Sequence, residues 1–151
     1  DSVVDYIKRA VRTCNDDVWG TLNASIIVHP KSLKDPAIAA AVDDAIRDLR
    51  YGAVAVNHWP ALAYGMVTTT WGGYPGHELH DIQSGREVVH NTFMFDKVEK
   101  TVVRGPFRVA PKPPWFVTNS QTANIARRLF AFEAKPSWLK VPAIAIASAR
   151  G

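Results

Sequence analysis

The chain has 151 residues, 47% of them apolar, with eighteen basic residues against fourteen acidic ones for a net charge of +4. That length suits one domain with a real core, and the mild, scattered basic excess reads as a solvated surface rather than a nucleic-acid footprint. The single cysteine excludes an internal disulfide, and no apolar run reaches membrane-spanning length.

No stretch reads as a signal peptide, so a reducing, cytoplasmic setting is expected, with neither membrane nor nucleic acid among the partners. The chain opens at Asp1 rather than Met, and a piece of a longer protein is as reasonable as a complete product.

Ser2 with Asp5 can cap a helix, and Val3, Tyr6, Ile7, Ala10, Val11 and Cys14 recur at helical spacing. A helix over residues 2–13 is predicted. Cys14 has Asp16 and Asp17 close by and no adjacent histidine. Carboxylates disfavour the thiolate, so it reads as a small half-buried residue, not a nucleophile.

Turn chemistry in Asn15-Asp16-Asp17 and Trp19-Gly20 leads to an apolar run over residues 23–29, closed by Pro30. Lacking clean alternation, this run predicts a strand covered on both faces. Asp35 suits an N-cap and Pro36 the first helical position. Ile38, Ala41, Val42, Ala45, Ile46 and Leu49 then form a continuous apolar stripe. Gly52 can end this helix in the left-handed conformation, and Ala53 to Val56 read as a second strand with Asn57 at its carboxyl end. Strand, helix and strand make a βαβ unit, and open α/β sheets bind ligands beyond the carboxyl ends of their strands.

From His58-Trp59-Pro60 to Gly76 the chain is rich in Gly, Pro, Thr and aromatics, including Tyr64, Trp71 and Tyr74. Such a loop is either a working surface or an aromatic cluster folded over the sheet, and its position after the strand favours function. His77, Glu78 and His80 raise a metal-dependent hydrolase, but two histidines on a loop fall short of the three or four ligands that zinc requires.

Residues 84–87 form a polar turn, and residues 88–95 a short extended or turn-rich segment. Thr101-Val102-Val103 suits a strand near a sheet edge, broken by Gly105-Pro106. Pro111 to Pro114 read as a stiff linker. Thr118 or Ser120 can cap a third helix, with Ala123, Ile125, Ala126, Leu129, Phe130 and Phe132 mostly inward. Pro136 ends that helix, and Ile144 and Ile146 are consistent with a final strand.

Taken in order, Asn15, Trp19-Gly20-Thr21-Leu22, Tyr51-Gly52-Ala53-Val54-Ala55-Val56-Asn57, Trp71-Gly72-Gly73, Ser84-Gly85-Arg86-Glu87 and Glu99-Lys100-Thr101-Val102 resemble the carboxyl-terminal third of an aldehyde dehydrogenase. The resemblance covers roughly residues 2–103. It departs from the family where Tyr74-Pro75-Gly76-His77 replaces a segment bearing a lysine, and where Trp71 replaces the usual phenylalanine.

The resemblance implies a three-layer α/β open sheet with a parallel βαβ core, a fragment of that family's catalytic domain. It implies a segment over residues 1–105 that includes a closing strand, and an extension over 106–151 with one helix packed on the same domain. The family's nucleophilic cysteine, general base and nucleotide-binding fold fall outside this chain, so no catalytic or cofactor-binding residue is expected here. NAD or NADP would serve the parent enzyme.

By position, Asn57, His58, Trp59, Trp71, Gly72 and Gly73 would line the substrate tunnel, and Lys100, Thr101, Val102 and Val103 would assemble subunits. The implied partners are the missing amino-terminal part of the same enzyme and further copies of the chain. The alternative is a non-enzymatic oligomerisation or partner-binding module derived from that fold.

Overall fold

A computed structural model describes residues 2–86, 88–91 and 93–151. They fall into two units, residues 1–107 and 108–151.

The first unit opens with helix α1 (Val3–Asp16). Ser2 and Asp5 form a full reciprocal capping box: the Asp5 backbone N–H donates to Ser2 Oγ at 3.1 Å, and the Ser2 N–H donates back to Asp5 Oδ2 at 3.3 Å. The Ser2 hydrogen bonds hold the Asp5 carboxyl below the usual carboxylate range. The helix runs three residues past its predicted end. Asn15 binds the far end of the next helix, which keeps the last turn of α1 wound.

Strand β1 (Asn23–Ile26) is shorter than its apolar run. The run of residues 23–29 predicted cover on both faces, yet Ser25 is exposed and Ile27, past the strand, is 70% exposed. The reason is position: the sheet order is β1-β2-β3, so β1 stands at an edge of the sheet formed by the described residues. A one-turn 3-10 helix (Ser32–Lys34) leads to α2 (Pro36–Asp48). There Asp35 Oδ1 accepts from the Ala37 N–H at 2.9 Å and Pro36 opens the first turn, as the sequence predicts.

Strand β2 (Ala53–Val56) is buried at every residue. It pairs in parallel with β1, Asn23 opposite Ala53, and with β3 (Thr101–Arg104), Ala53 opposite Thr101. The parallel βαβ unit and the edge position of β3 are therefore present. Val54 and Val56 join Val42, Ile46, Leu49 and Tyr51 in the core, with Ile7 and Val11 of α1 packed against it. Fully burying side chains of this size contributes about 1.5–3 kcal/mol apiece. A one-turn helix α3 (Leu62–Gly65) lies in the long loop after β2 and packs against β3.

The second unit departs further from expectation. Pro111 to Pro114 are not a spacer but part of this unit, because Asn119 Nδ2 donates to Lys112 O at 2.8 Å and Thr122 Oγ1 to Pro114 O at 2.7 Å. Helix α4 (Thr122–Ala134) starts after Gln121, which makes no side-chain cap. Of its predicted inner residues only Ile125 is buried, and Phe130 is 77% exposed. The final apolar run is helix α5 (Val141–Ala149), not a strand. Its alternating alanines favour helix, and Pro142 is tolerated in the first turn. The unit thus holds two helices where one was expected.

Candidate functional site

The residues predicted to line one mouth lie at two ends of β2. Asn57, His58 and Trp59 leave its carboxyl end. Asn57 adopts φ 55°, a left-handed conformation that asparagine tolerates better than most residues. Its backbone N–H donates to Ile26 O at 2.9 Å. Its side-chain Oδ1 accepts from the Val28 N–H at 2.8 Å, and Nδ2 donates to Val28 O at 3.0 Å. The amide thus extends the parallel ladder past the point where the backbone of β2 turns away. His58 packs on Gly105 just beyond β3, where a Cβ on that glycine would lie 2.5 Å from the His58 ring. Trp59 is 53% exposed.

Gly72 and Gly73 do not join them. A Cβ on Gly52 would fall 1.7 Å from Gly72 O, and one on Gly73 would fall 2.0 Å from Gly85 O. Three backbone segments are therefore layered in direct contact at the amino end of β2, about 16 Å from Asn57 at 3.3 Å per strand residue. Gly52 is there for this close approach. It is not in the left-handed conformation predicted for it, and α2 ends instead with Leu49 in an extended conformation. Trp71 turns towards the loop, with its ring 5.9 Å from that of Tyr64, which in turn lies 4.7 Å from His90.

The same amino end collects a cluster of polar contacts from distant parts of the chain. The Gly52 N–H donates to Thr21 O at 2.8 Å, and the Thr21 N–H donates to Ser84 Oγ at 2.6 Å. The Gly20 N–H donates to Gln83 Oε1 at 3.2 Å. Asn15 donates to Asp48 O and accepts from the Arg50 N–H, while the Arg50 guanidinium pairs with Asp16. The Tyr51 hydroxyl donates to Cys14 O at 2.8 Å, and burial pushes its pKa up. A cleft of about 310 Å³ opens here, with Asn15, Thr21, Arg50, Tyr74, His77 and Gln83 in its walls. The sequence reading missed it, because its walls come from turns whose convergence no periodicity reports.

Lys100, expected in subunit assembly, faces inward. Its ammonium donates to Ile46 O at 2.9 Å, to Arg47 O at 2.7 Å and to Leu49 O, closing the carboxyl end of α2. It also lies 5.6 Å from the centre of the Tyr74 ring. Burial pushes its pKa down, and Asp48 and Glu99 pull it partly back. The Thr101 hydroxyl bonds to Thr70, while Val102 remains exposed on the outer strand.

His77 Nδ1 sits 3.1 Å from Ile82 O, closing its own loop, and His80 pairs with Glu78 at the surface. Among the described residues no three His, Cys, Asp or Glu side chains converge on a point that could hold a metal. Cys14 lies on α1 in an apolar groove of about 340 Å³ against β1, shared with Tyr6, Val11, Ile26 and Val42.

No family model, curated protein or solved structure matches the chain. No helix among the described residues is long and apolar enough to cross a membrane.

Proposed function

We propose that the chain is the carboxyl-terminal portion of an NAD(P)-dependent aldehyde dehydrogenase, without catalytic competence of its own. One observation carries the reading. The short segments that resemble the family, spread over some ninety residues, meet around Gly52: Asn15 accepts from the Arg50 N–H, the Gly52 N–H donates to Thr21 O and the Thr21 N–H to Ser84 Oγ, the Thr101 N–H donates to Gly52 O and Lys100 to Leu49 O, while Gly72 lies against Gly52 and Gly85 against Gly73. Glu87, the last residue of one segment, lies outside the described residues. A set of motifs that forms one contact network is what an inherited structural unit would leave in a sequence.

In such an enzyme a thiolate attacks the aldehyde, a hydride passes to the nicotinamide, and the thioester is hydrolysed. The residues present do not fit the dinucleotide. The turn from β1 to α2, residues 27–35, contains no glycine to let backbone approach a pyrophosphate. No step is therefore assigned to this chain. Its part would be a wall at the carboxyl end of the sheet, formed by His58 and Trp59 on a frame fixed by Asn57.

The surface supports a missing cover. The chain exposes 10284 Å², whereas two separate globules of the masses of its two units would expose about 9,000 Å². The outer edges of β1 and β3 would receive that cover, with Val102 and Val103 towards a second copy and β1 towards the amino-terminal part.

The test is to extend the reading frame upstream of Asp1, purify the longer protein and follow nicotinamide reduction with a panel of aldehydes. Turnover is expected from the longer protein and none from the 151-residue chain. A longer protein without a nucleotide-binding fold, or one that oxidises no aldehyde, overturns the reading and leaves the partner-binding module in its place.

A further inference from the structure

The mild positive charge of the chain is not spread evenly between its units. Residues 108–151 carry seven basic side chains against Glu133 alone, a net +6, while residues 1–107 carry a net −2. The same small unit buries little apolar surface: Ile125 and Ala147 are its buried hydrophobics. Trp138 and Leu139 are 87% and 91% exposed, and Val117 and Ile146 are exposed as well.

The turn that carries Trp138 and Leu139 is held in place. Lys140 Nζ donates to Ala131 O and to Lys135 O, both at 2.7 Å, which fastens the turn Trp138–Lys140 to the last turn of α4. Arg127, Phe130 and Ala134 follow one face of that helix at helical spacing, so cationic and aromatic groups approach the same end.

We propose that residues 108–151 dock on the surface of an anionic phospholipid bilayer, with Phe130, Trp138 and Leu139 entering the headgroup region and the arginines facing the lipid phosphates. Charge complementarity argues for this occupant, since a basic unit with uncovered tryptophan, phenylalanine and leucine matches an interface that is anionic outside and apolar within. A single-stranded nucleic acid would also meet the charge and stack on Trp138 and Phe130, but it would give the exposed Leu139, Val117 and Ile146 no apolar medium to enter. The unit lies on the bilayer and does not span it: α5, with nine residues, is about 14 Å long against about 30 Å of hydrocarbon. This inference does not depend on the aldehyde dehydrogenase reading.

The experiment is sedimentation of the whole 151-residue chain with vesicles of phosphatidylcholine alone and of phosphatidylcholine mixed with phosphatidylserine, with tryptophan emission recorded in parallel. Binding to the anionic vesicles is expected, with a blue shift, little binding to the neutral ones, and release by high salt. Arg127→Gln with Arg128→Gln should weaken binding by about fivefold for each charge removed. Trp138→Ser with Leu139→Ser should abolish the blue shift, and both pairs are exposed, so far-ultraviolet dichroism should not change. Failure to sediment with the anionic vesicles, or equal sedimentation with both lipids, overturns the proposal. So does an RNA oligonucleotide held more tightly than the vesicles and bound equally well by the Trp138→Ser, Leu139→Ser variant.

Discussion

At its amino end β2 is met by backbone, and at its carboxyl end by side chains. Gly52 and Gly73 bring three segments to distances no Cβ would allow, whereas Asn57 reaches across to Val28 with its amide and leaves His58 and Trp59 beyond it. The difference separates two jobs. A seam of glycine backbone in direct contact ties segments far apart in the chain, so the amino end serves as a weld. The carboxyl end is framed by the amide of one asparagine and ends in a half-exposed tryptophan.

The most damaging single substitution at the amino end is Gly52→Ala. The new methyl would meet Gly72 O at 1.7 Å, and because the obstacle is backbone the loop must move. A loss of about 3 kcal/mol or more is expected, at the upper end for overpacking. Urea denaturation measures it. A variant as stable as the parent would mean that the layered contact is absent in solution.

A smaller effect tests the other end. Asn57→Ala removes two side-chain hydrogen bonds, at about 1 kcal/mol each, and leaves alanine in a left-handed conformation that costs about 1–2 kcal/mol more. Asn57→Gly removes the same bonds without that strain. Glycine is therefore expected to be the milder substitution by about 1 kcal/mol in the same denaturation series. Equal losses would show that the positive φ contributes nothing and that the amide alone holds the end of β1.

The parts of this arrangement that were legible in the sequence are those with a local cause. Asp35 before Pro36, the apolar stripe from Ile38 to Leu49, and four small apolar residues after Gly52 each dictate their own geometry, and together they give the parallel βαβ unit. Thr101 to Val103 announce an edge strand by composition. What was not legible depends on partners far along the chain. Gly52 looks like a helix terminator until Gly72 is seen against it, and the run from Val141 to Ala149, with Ile144 and Ile146, looks like a strand until it is seen to have no strand to pair with. The glycine pair at 72–73 did signal close approach, but sequence cannot say to what, and the answer places it at the opposite end of β2 from Asn57. The charge of residues 108–151 was equally hidden, since a unit boundary must be known before its balance can be counted.

Lys100 is a charged side chain working at the same end as the glycine seam. Its ammonium is the common donor to three carbonyls that α2 leaves open, and it ties that helix to β3 one residue before the strand pairs with Ala53. Methionine at this position would keep the stem and its packing while removing every donor. Because the site is partly open to water, the abandoned carbonyls can be hydrated, and a loss of about 1–2 kcal/mol is expected, at the lower end for hydrogen bonds from a charged group. Amide exchange should quicken in the last turn of α2, where Arg47 and Leu49 lose their common partner, and stay unchanged at the capped start of α1. If protection fell equally in both helices, the ammonium would be holding the whole unit together rather than one helix end. The weld would then extend well beyond the glycines.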